Sequence, residues 1–139
     1  MQKHPHGHKL HNMLKKLKPY VIYSDNFLDA ISIFMTVGGI SLFPVVILRE
    51  KYRDSTDKFW KKRAKEIINH ETIHFQQQLE LGVIPFYFIY VVEFLCKLPF
   101  YGAKAYENIS FEREAYGNDK KLKYLETRVR FNWVHDIFK

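Results

Sequence analysis

The residues best suited to chemistry form a short pattern, His-Glu-Thr-Ile-His, at positions 70–74. His70 and His74 are four residues apart, so a helix places both imidazoles on one face, where they can bind the same metal ion. Glu71 follows the first histidine and is then placed to take a proton from an activated water. The pattern therefore predicts a Zn²⁺ site with these two histidines as ligands and Glu71 as the catalytic general base.

The residues around this pattern predict the helix that it requires. Between Phe59 and Leu81 there is no glycine or proline, and apolar residues recur at helical spacing. Gly82 follows as a helix stop, and Pro85 comes three residues later. We therefore predict a single active-site helix over residues 59–81.

A third metal ligand is expected downstream, because catalytic zinc usually takes three protein ligands and keeps a fourth position for water. The segment Ser110-Phe111-Glu112-Arg113-Glu114-Ala115 supplies two carboxylates. They are two residues apart, about 200° around a helix, so they cannot both face one ion. We predict a helix over about residues 107–117 that carries one of them to the metal.

Two likenesses to known families bear on this choice. The pattern E-x-x-A from Glu112 to Ala115 resembles the third-ligand helix of gluzincins, especially HtpX-like and CAAX-type membrane proteases. This resemblance implies that Glu112 binds zinc. Those families carry an aspartate four residues further on, where this chain has Tyr116. Asp119 is the expected replacement as the partner that orients a zinc histidine.

The second likeness covers roughly residues 30–130 and rests on the strings NHETIHFQQQLEL and NISFEREAY. It resembles a family of small gluzincin-like H-E-x-x-H metallopeptidases frequent in Bacteroidota. The resemblance implies an α+β fold: a minimal zincin-like domain whose active-site helix lies under a short antiparallel sheet, with further packing helices. It also implies a peptide or protein substrate.

The sheet is expected between residues 31 and 48. Apolar residues alternate before and after Gly38-Gly39, which is typical of a hairpin with its turn at the two glycines. In zincins an edge strand holds the extended substrate by backbone pairing, and the resemblance places that edge at residues 40–48. Residues 27–48 are also long enough to span a membrane, but Asp29, the glycine pair and Pro44 favour strands.

A second apolar stretch runs over residues 83–100. Its uninterrupted apolar part, residues 83–92, is too short to cross a bilayer. We predict a buried helix that packs behind the active-site helix. An interfacial role is the alternative, because Phe, Tyr and Lys crowd this region.

Composition limits the remaining choices. The chain has 139 residues, of which 47% are hydrophobic, enough for one domain with a core. Cys96 is the only cysteine, which excludes an internal disulfide and a cysteine-based zinc site. The net charge of +7 favours an anionic partner. Nucleic acid is not expected, because no nucleic-acid-binding motif accompanies the basic clusters.

The chain is predicted to divide into a mobile basic tail, residues 1–19, and the zincin-like domain, residues 20–139. The tail contains histidines that can bind metal weakly: His4, His6, His8 and His11. No secretory signal is visible, so we expect a cytoplasmic protein, with peripheral membrane contact as an alternative.

These patterns favour a zinc-dependent peptidase that hydrolyses an amide bond. Its oxyanion needs a hydrogen-bond donor, for which Tyr106, Tyr116 and His135 are the candidates. Gln77, three residues after His74, could approach the metal face. Two alternatives stay open: a non-catalytic zinc-binding structural protein that keeps the zincin fold, and a basic peripheral membrane protein in which the motif is fortuitous.

Overall fold

The protein is represented by a computed structural model that describes residues 13–14, 16–32 and 38–139. The described part is α+β, with a three-stranded mixed sheet packed against the longest helix. In chain order the elements are β1 (Tyr20–Tyr23), α1 (Asp25–Ile31), β2 (Gly39–Leu42), β3 (Val45–Leu48), α2 (Lys58–Leu81), α3 (Val83–Tyr101), α4 (Ser110–Asn118) and α5 (Tyr124–Thr127). Short 3-10 segments occupy Glu50–Tyr52, Gly102–Lys104, Tyr106–Asn108 and Asn132–Asp136. Most of the predicted tail, residues 1–12, lies outside the described residues.

The sheet differs from the predicted antiparallel hairpin. Its strand order is β1-β3-β2, in which β2 is antiparallel to β3 but β1 runs parallel to it. The tight turn lies at Phe43-Pro44 rather than at Gly38-Gly39. Ile31 ends a helix instead of starting a strand, and residues 33–37 fall outside the described part. The strands at residues 39–48 exclude the continuous membrane-spanning helix considered for residues 27–48.

Gly39 serves close packing rather than a turn. A Cβ atom at this position would lie 2.6 Å from Leu48 Cδ2 and 3.1 Å from Ile67 Cγ2. Glycine therefore lets β2 pack closely against Leu48 of β3 and Ile67 of α2, whose side chains would have to shift to admit a larger residue. The glycine pair was misassigned because sequence alone does not distinguish a turn from a close backbone approach.

Helix α2 confirms the helix predicted over residues 59–81 and begins one residue before it. The Asp57 carboxylate accepts hydrogen bonds from the Phe59 and Trp60 backbone N–H groups and caps the N-terminus. Gly82, with φ of 86°, ends the helix as predicted, because this left-handed conformation favours glycine. The helix therefore carries residues 69–78, which are largely buried and polar, through the centre of the fold.

Helix α4 is held at both ends by side chains from other helices. At its N-terminus, Glu93 of α3 accepts hydrogen bonds from the Ser110 backbone N–H and hydroxyl, at 2.8 and 2.6 Å. At its C-terminus, the Asn69 amide of α2 donates to the Asn118, Asp119 and Lys121 carbonyls. The helix starts later than predicted, at Ser110, because residues 106–108 form a 3-10 segment.

Helix α3 is not the buried helix that was predicted. Of its residues only Phe86 is buried, and side chains such as Ile84 and Phe88 are 83% and 69% exposed. In the described part of the chain, the segment Val83–Lys104 is long and apolar enough to cross a membrane by length and composition. The prediction failed because hydrophobicity shows that a residue avoids water, but not whether protein covers it.

A buried ionic cluster ties the C-terminal segment to α2 and α4. The Arg128 guanidinium contacts the carboxylates of Glu80 and Glu114, and all three side chains are at most 5% exposed. Arg128 donates to both oxygens of each carboxylate, so both contacts are bidentate. Removing the cation would leave two buried anions without compensation.

We therefore expect Arg128→Met to lower the free energy of unfolding by about 3–5 kcal/mol, as for other broken buried ion pairs. Urea denaturation followed by circular dichroism measures this change. Arg53→Met is the matched control, because Arg53 pairs with Asp54 on the surface and should change stability little. Equal losses in the two variants would contradict the stabilising role of the cluster.

Candidate metal centre

Three side chains from two helices converge at one point. His70 and His74 project from adjacent turns of α2, and Glu112 comes from the first turn of α4. The two histidine Nε2 atoms are 3.1 Å apart; His70 Nε2 lies 3.2 Å from Glu112 Oε2, and His74 Nε2 lies 3.2 Å from Glu112 Oε1. All three side chains are buried. They form a His-His-Glu group that could hold a metal ion.

The size of this triangle fits a small divalent cation. Ligands about 2.0–2.1 Å from a tetrahedral zinc lie about 3.3 Å from one another. The two histidine Nε2 atoms, 3.1 Å apart, and the 3.2 Å contact of each with a different Glu112 oxygen are close to that spacing. Two imidazole nitrogens and one carboxylate oxygen also form a ligand set typical of catalytic zinc. The residues present therefore fit the ion.

The electrostatics of the group favour a positive charge at its centre. Burial alone would raise the pKa of Glu112, but His74 and His70 hold it well below its usual range. Burial alone would lower the pKa of His74, but the Glu112 carboxylate raises it to about 9. A buried carboxylate facing two imidazoles thus attracts either a proton or a metal cation.

Gln77 orients His74. Its side-chain oxygen lies 2.8 Å from His74 Nδ1, while its amide nitrogen donates to Glu114 Oε2 and the Phe111 carbonyl. Because the amide nitrogen is committed to two acceptors, its oxygen is the atom that faces His74. Nδ1 then carries the proton and Nε2 keeps its lone pair for the metal.

Asp119, the partner expected for a zinc histidine, does not take this role. Its carbonyl accepts from Asn69, and no described hydrogen bond joins its carboxylate to His70 or His74. Gln77 was noted from its spacing as a residue that could approach the metal face. Its role as the partner of His74 depends on Glu114 from another helix, which sequence spacing does not reveal.

Tyr90 is a site residue that the sequence did not single out. Its hydroxyl donates to Glu112 Oε1 at 2.6 Å and holds the carboxylate in place. Tyr90 belongs to α3, an apolar stretch in which one tyrosine resembles any other core aromatic. No pattern of spacing links it to the histidine motif, so only the packing of α3 against α4 identifies it.

Glu71 lies beside the three donors without joining them. It is buried and borders cavities on both sides of the site. Burial raises the pKa of its carboxyl, although His70 and His74 oppose the shift and a backbone hydrogen bond from Ser41 also lowers it. Its carboxylate is therefore placed to exchange a proton close to the metal position.

Of the three oxyanion candidates, the structure brings two to the site. Tyr106 and Tyr116 line a cavity together with His70 and Glu71, whereas His135 is not among its lining residues. The ring of Tyr116 packs against His70, with the ring centroids 4.6 Å apart. Burial raises the pKa of Tyr106 and raises that of Tyr116 to about 12, so both hydroxyls stay protonated and can donate.

Two cavities of about 280 Å³ each meet at Glu71. The first is lined by polar and basic groups that include Arg49, Lys51 and Arg63. The second is mainly apolar and contains Phe86 beside the metal donors. Together they offer space for a ligand on both sides of the site.

The strand edge that was expected to pair with substrate, at residues 40–48, is partly occupied by side chains of the protein itself. The Ser41 carbonyl in β2 accepts hydrogen bonds from the Tyr87 hydroxyl at 2.8 Å and the Gln78 amide at 3.1 Å. The carbonyl of this residue is therefore not free to pair with an extended peptide, in contrast to the expectation for residues 40–48.

No family model, curated protein or solved structure matches the chain. The resemblance to small gluzincin-like metallopeptidases therefore stays a prediction. The functional argument rests on the geometry of the described residues.

We expect the purified protein to retain about one zinc ion per chain after a weak chelator has removed metal from the histidine-containing tail. Glu112→Gln should lower zinc affinity strongly, because the amide keeps the shape but loses the negative charge. Glu107→Gln is the control on an exposed glutamate nearby. Competition with a chromophoric chelator measures both affinities, and an equal loss would refute the ligand assignment.

Gln77→Leu should weaken zinc binding by roughly 10- to 100-fold, the range found when a partner of a metal-binding histidine is lost. Gln76→Leu makes the same substitution one residue earlier, where the side chain bonds to the Leu14 and Leu17 carbonyls instead. The same competition titration applies. If the Gln76 variant lost as much affinity as the Gln77 variant, general destabilisation rather than histidine orientation would explain both.

Proposed function

We propose that the protein is a zinc-dependent peptidase in which His70, His74 and Glu112 hold the metal and Glu71 is the general base. The observation that carries this proposal is the buried triangle of donors with Glu71 beside it. A purely structural zinc site has no need of a buried carboxylate next to the ion, because its ligands close the coordination sphere. A water-activating site does need one.

Zinc bound there would act as a Lewis acid that polarises the scissile carbonyl and makes water nucleophilic near neutral pH. The Glu71 carboxylate takes a proton from the attacking water. It then returns that proton to the nitrogen of the leaving amine, so the carboxylate is regenerated after each turnover. Because Glu71 sits between the two cavities, it is near both the water and the departing group.

Tyr106 is the favoured donor to the oxyanion. It lines both cavities together with Glu71, whereas Tyr116 lines only the first. The Tyr106 ring packs against that of Tyr90, with the centroids 6.4 Å apart, which restricts its position before the substrate arrives. A preorganised hydroxyl stabilises developing charge better than one that must reorient during the reaction.

The two cavities favour a substrate with groups on both sides of the scissile bond. The apolar cavity, lined by Ile40, Phe86 and Tyr87, suits an apolar side chain. The opposite cavity contains basic groups and suits a polar or acidic neighbour. A short peptide or an exposed protein segment fits this arrangement.

A non-catalytic metal-binding protein is the second candidate, and the closed edge at Ser41 favours it. A peptidase that relied on strand pairing would need the Ser41 carbonyl free, but Tyr87 and Gln78 already donate to it. The convergence of the three donors argues against the other alternative, a basic peripheral membrane protein in which the motif is fortuitous.

Glu71→Gln separates the two remaining candidates. It keeps the shape of the side chain but removes the basic carboxylate, so zinc content should persist while peptide hydrolysis falls by roughly 10²–10⁴-fold. Both quantities are measured on the same preparations against a broad peptide library, with Glu50→Gln, an exposed glutamate, as the control. Zinc binding without hydrolysis by the wild type would favour the non-catalytic protein. Hydrolysis by the Gln variant at the wild-type rate would refute the role of Glu71.

A further inference from the structure

The outer face of α3 is a continuous apolar surface. Its side chains include Ile84, which is 83% exposed, and Leu95, which is 57% exposed. No charged or amide side chain lies on this face between residues 84 and 100. The outer face consists of Ile84, Pro85, Phe88, Val91, Val92, Leu95, Cys96, Leu98, Pro99 and Phe100.

The two charged residues of α3 point inward. Glu93 and Lys97 form an ion pair of 2.7 Å and are only 11% and 12% exposed. Glu93 also caps α4 at Ser110, and Lys97 donates to the Asn108 carbonyl. This polarity is the reverse of a water-facing helix, which places its charges outward and its apolar side chains inward.

We propose that the outer face of α3 docks on a lipid bilayer, with the helix lying along the membrane surface. The proposal does not depend on catalysis at the metal centre. From Ile84 to Phe100 the face is about 24 Å long, given a rise of about 1.5 Å per residue. An apolar patch of this length is unusual on a soluble monomer and marks an interaction surface.

The chemistry of the face favours lipid over protein. Protein interfaces carry about one hydrogen bond per 100–200 Å², made by polar groups at and around the contact. The outer face of α3 offers no such side chains. Acyl chains provide no hydrogen-bond partners, so a surface that enters them must satisfy its polar groups internally. The inward network of Glu93 and Lys97 does this.

The helix is placed to lie on the membrane rather than to cross it. Its inner face packs on the domain, where Phe86 is buried and Tyr90 bonds to Glu112. A spanning orientation would carry the elements packed on this inner face, including α4 with the Glu112 carboxylate, into hydrocarbon. Immersion of the outer face alone avoids this cost and matches an interfacial helix.

Charge adds a second attraction. The chain carries a net charge of +7, and exposed Lys104 lies three residues after the end of α3. Phe100 and Tyr101 at the end of the helix are exposed aromatic residues of the kind found at membrane–water boundaries. Anionic headgroups should therefore strengthen a contact that the apolar side chains make possible.

Flotation of the full-length protein with vesicles tests the proposal. We expect binding to phosphatidylcholine vesicles and tighter binding when phosphatidylglycerol is included. The double variant Phe88→Glu/Leu95→Glu should lose at least roughly tenfold in binding, because two immersed apolar side chains become charged. Phe138→Glu, at a 98% exposed position outside α3, should bind like the wild type. The uncharged pair Phe88→Gln/Leu95→Gln, with zinc content and circular dichroism measured, separates lost docking from misfolding.

Cys96 provides a direct readout of the docking face. It is exposed on α3 and is the only cysteine, so an environment-sensitive dye attached to it reports on this helix alone. Its emission should shift to the blue when vesicles are added. Binding without that shift, equal binding by the glutamate pair, or no flotation at all would overturn the proposal. A stable dimer in light scattering that dissociates in the same pair would assign the face to a second copy instead.

Discussion

The buried carboxylate of Glu112 between two imidazoles is the constraint on which the rest of the structure depends. An anion without water requires a compensating cation and fixed hydrogen-bond donors. His70 and His74 face it from α2, and Tyr90 donates to it from α3. Three helices must therefore meet at one carboxylate, and a cation at the centre stabilises all three.

The polar interior of α2 follows from that constraint. Several of its buried polar side chains bind a neighbouring element: the Asn69 amide donates to the end of α4, the Gln77 amide donates to Glu114 of α4, and the Gln78 amide donates to Ser41 of β2. Such networks are costly when incomplete, because an unpaired buried polar group is strongly unfavourable. They are accordingly sensitive to small displacements, which suits a site that must keep its ligands within a few tenths of an ångström.

The sequence predicted correctly those elements that depend only on residues close together in the chain. The helix over residues 59–81 and its stop at Gly82 depend on spacing and composition within one segment, and the structure confirms both. The sheet and the exposure of α3 depend on what packs against them. Gly39 was mistaken for a turn residue because Ile67, its neighbour, is 28 residues away. Tyr90 and the role of Gln77 were likewise hidden, because each contacts a helix that is distant in sequence.

The most direct test of the metal centre is zinc K-edge X-ray absorption on the full-length protein loaded with slightly less than one zinc per chain. We predict two imidazole ligands with carboxylate or water oxygens, at about 2.0–2.1 Å. Three or more imidazoles would place the ion on the histidine-containing tail, and a sulfur at about 2.3 Å would place it on Cys96. Either result would contradict a zinc site formed by His70, His74 and Glu112.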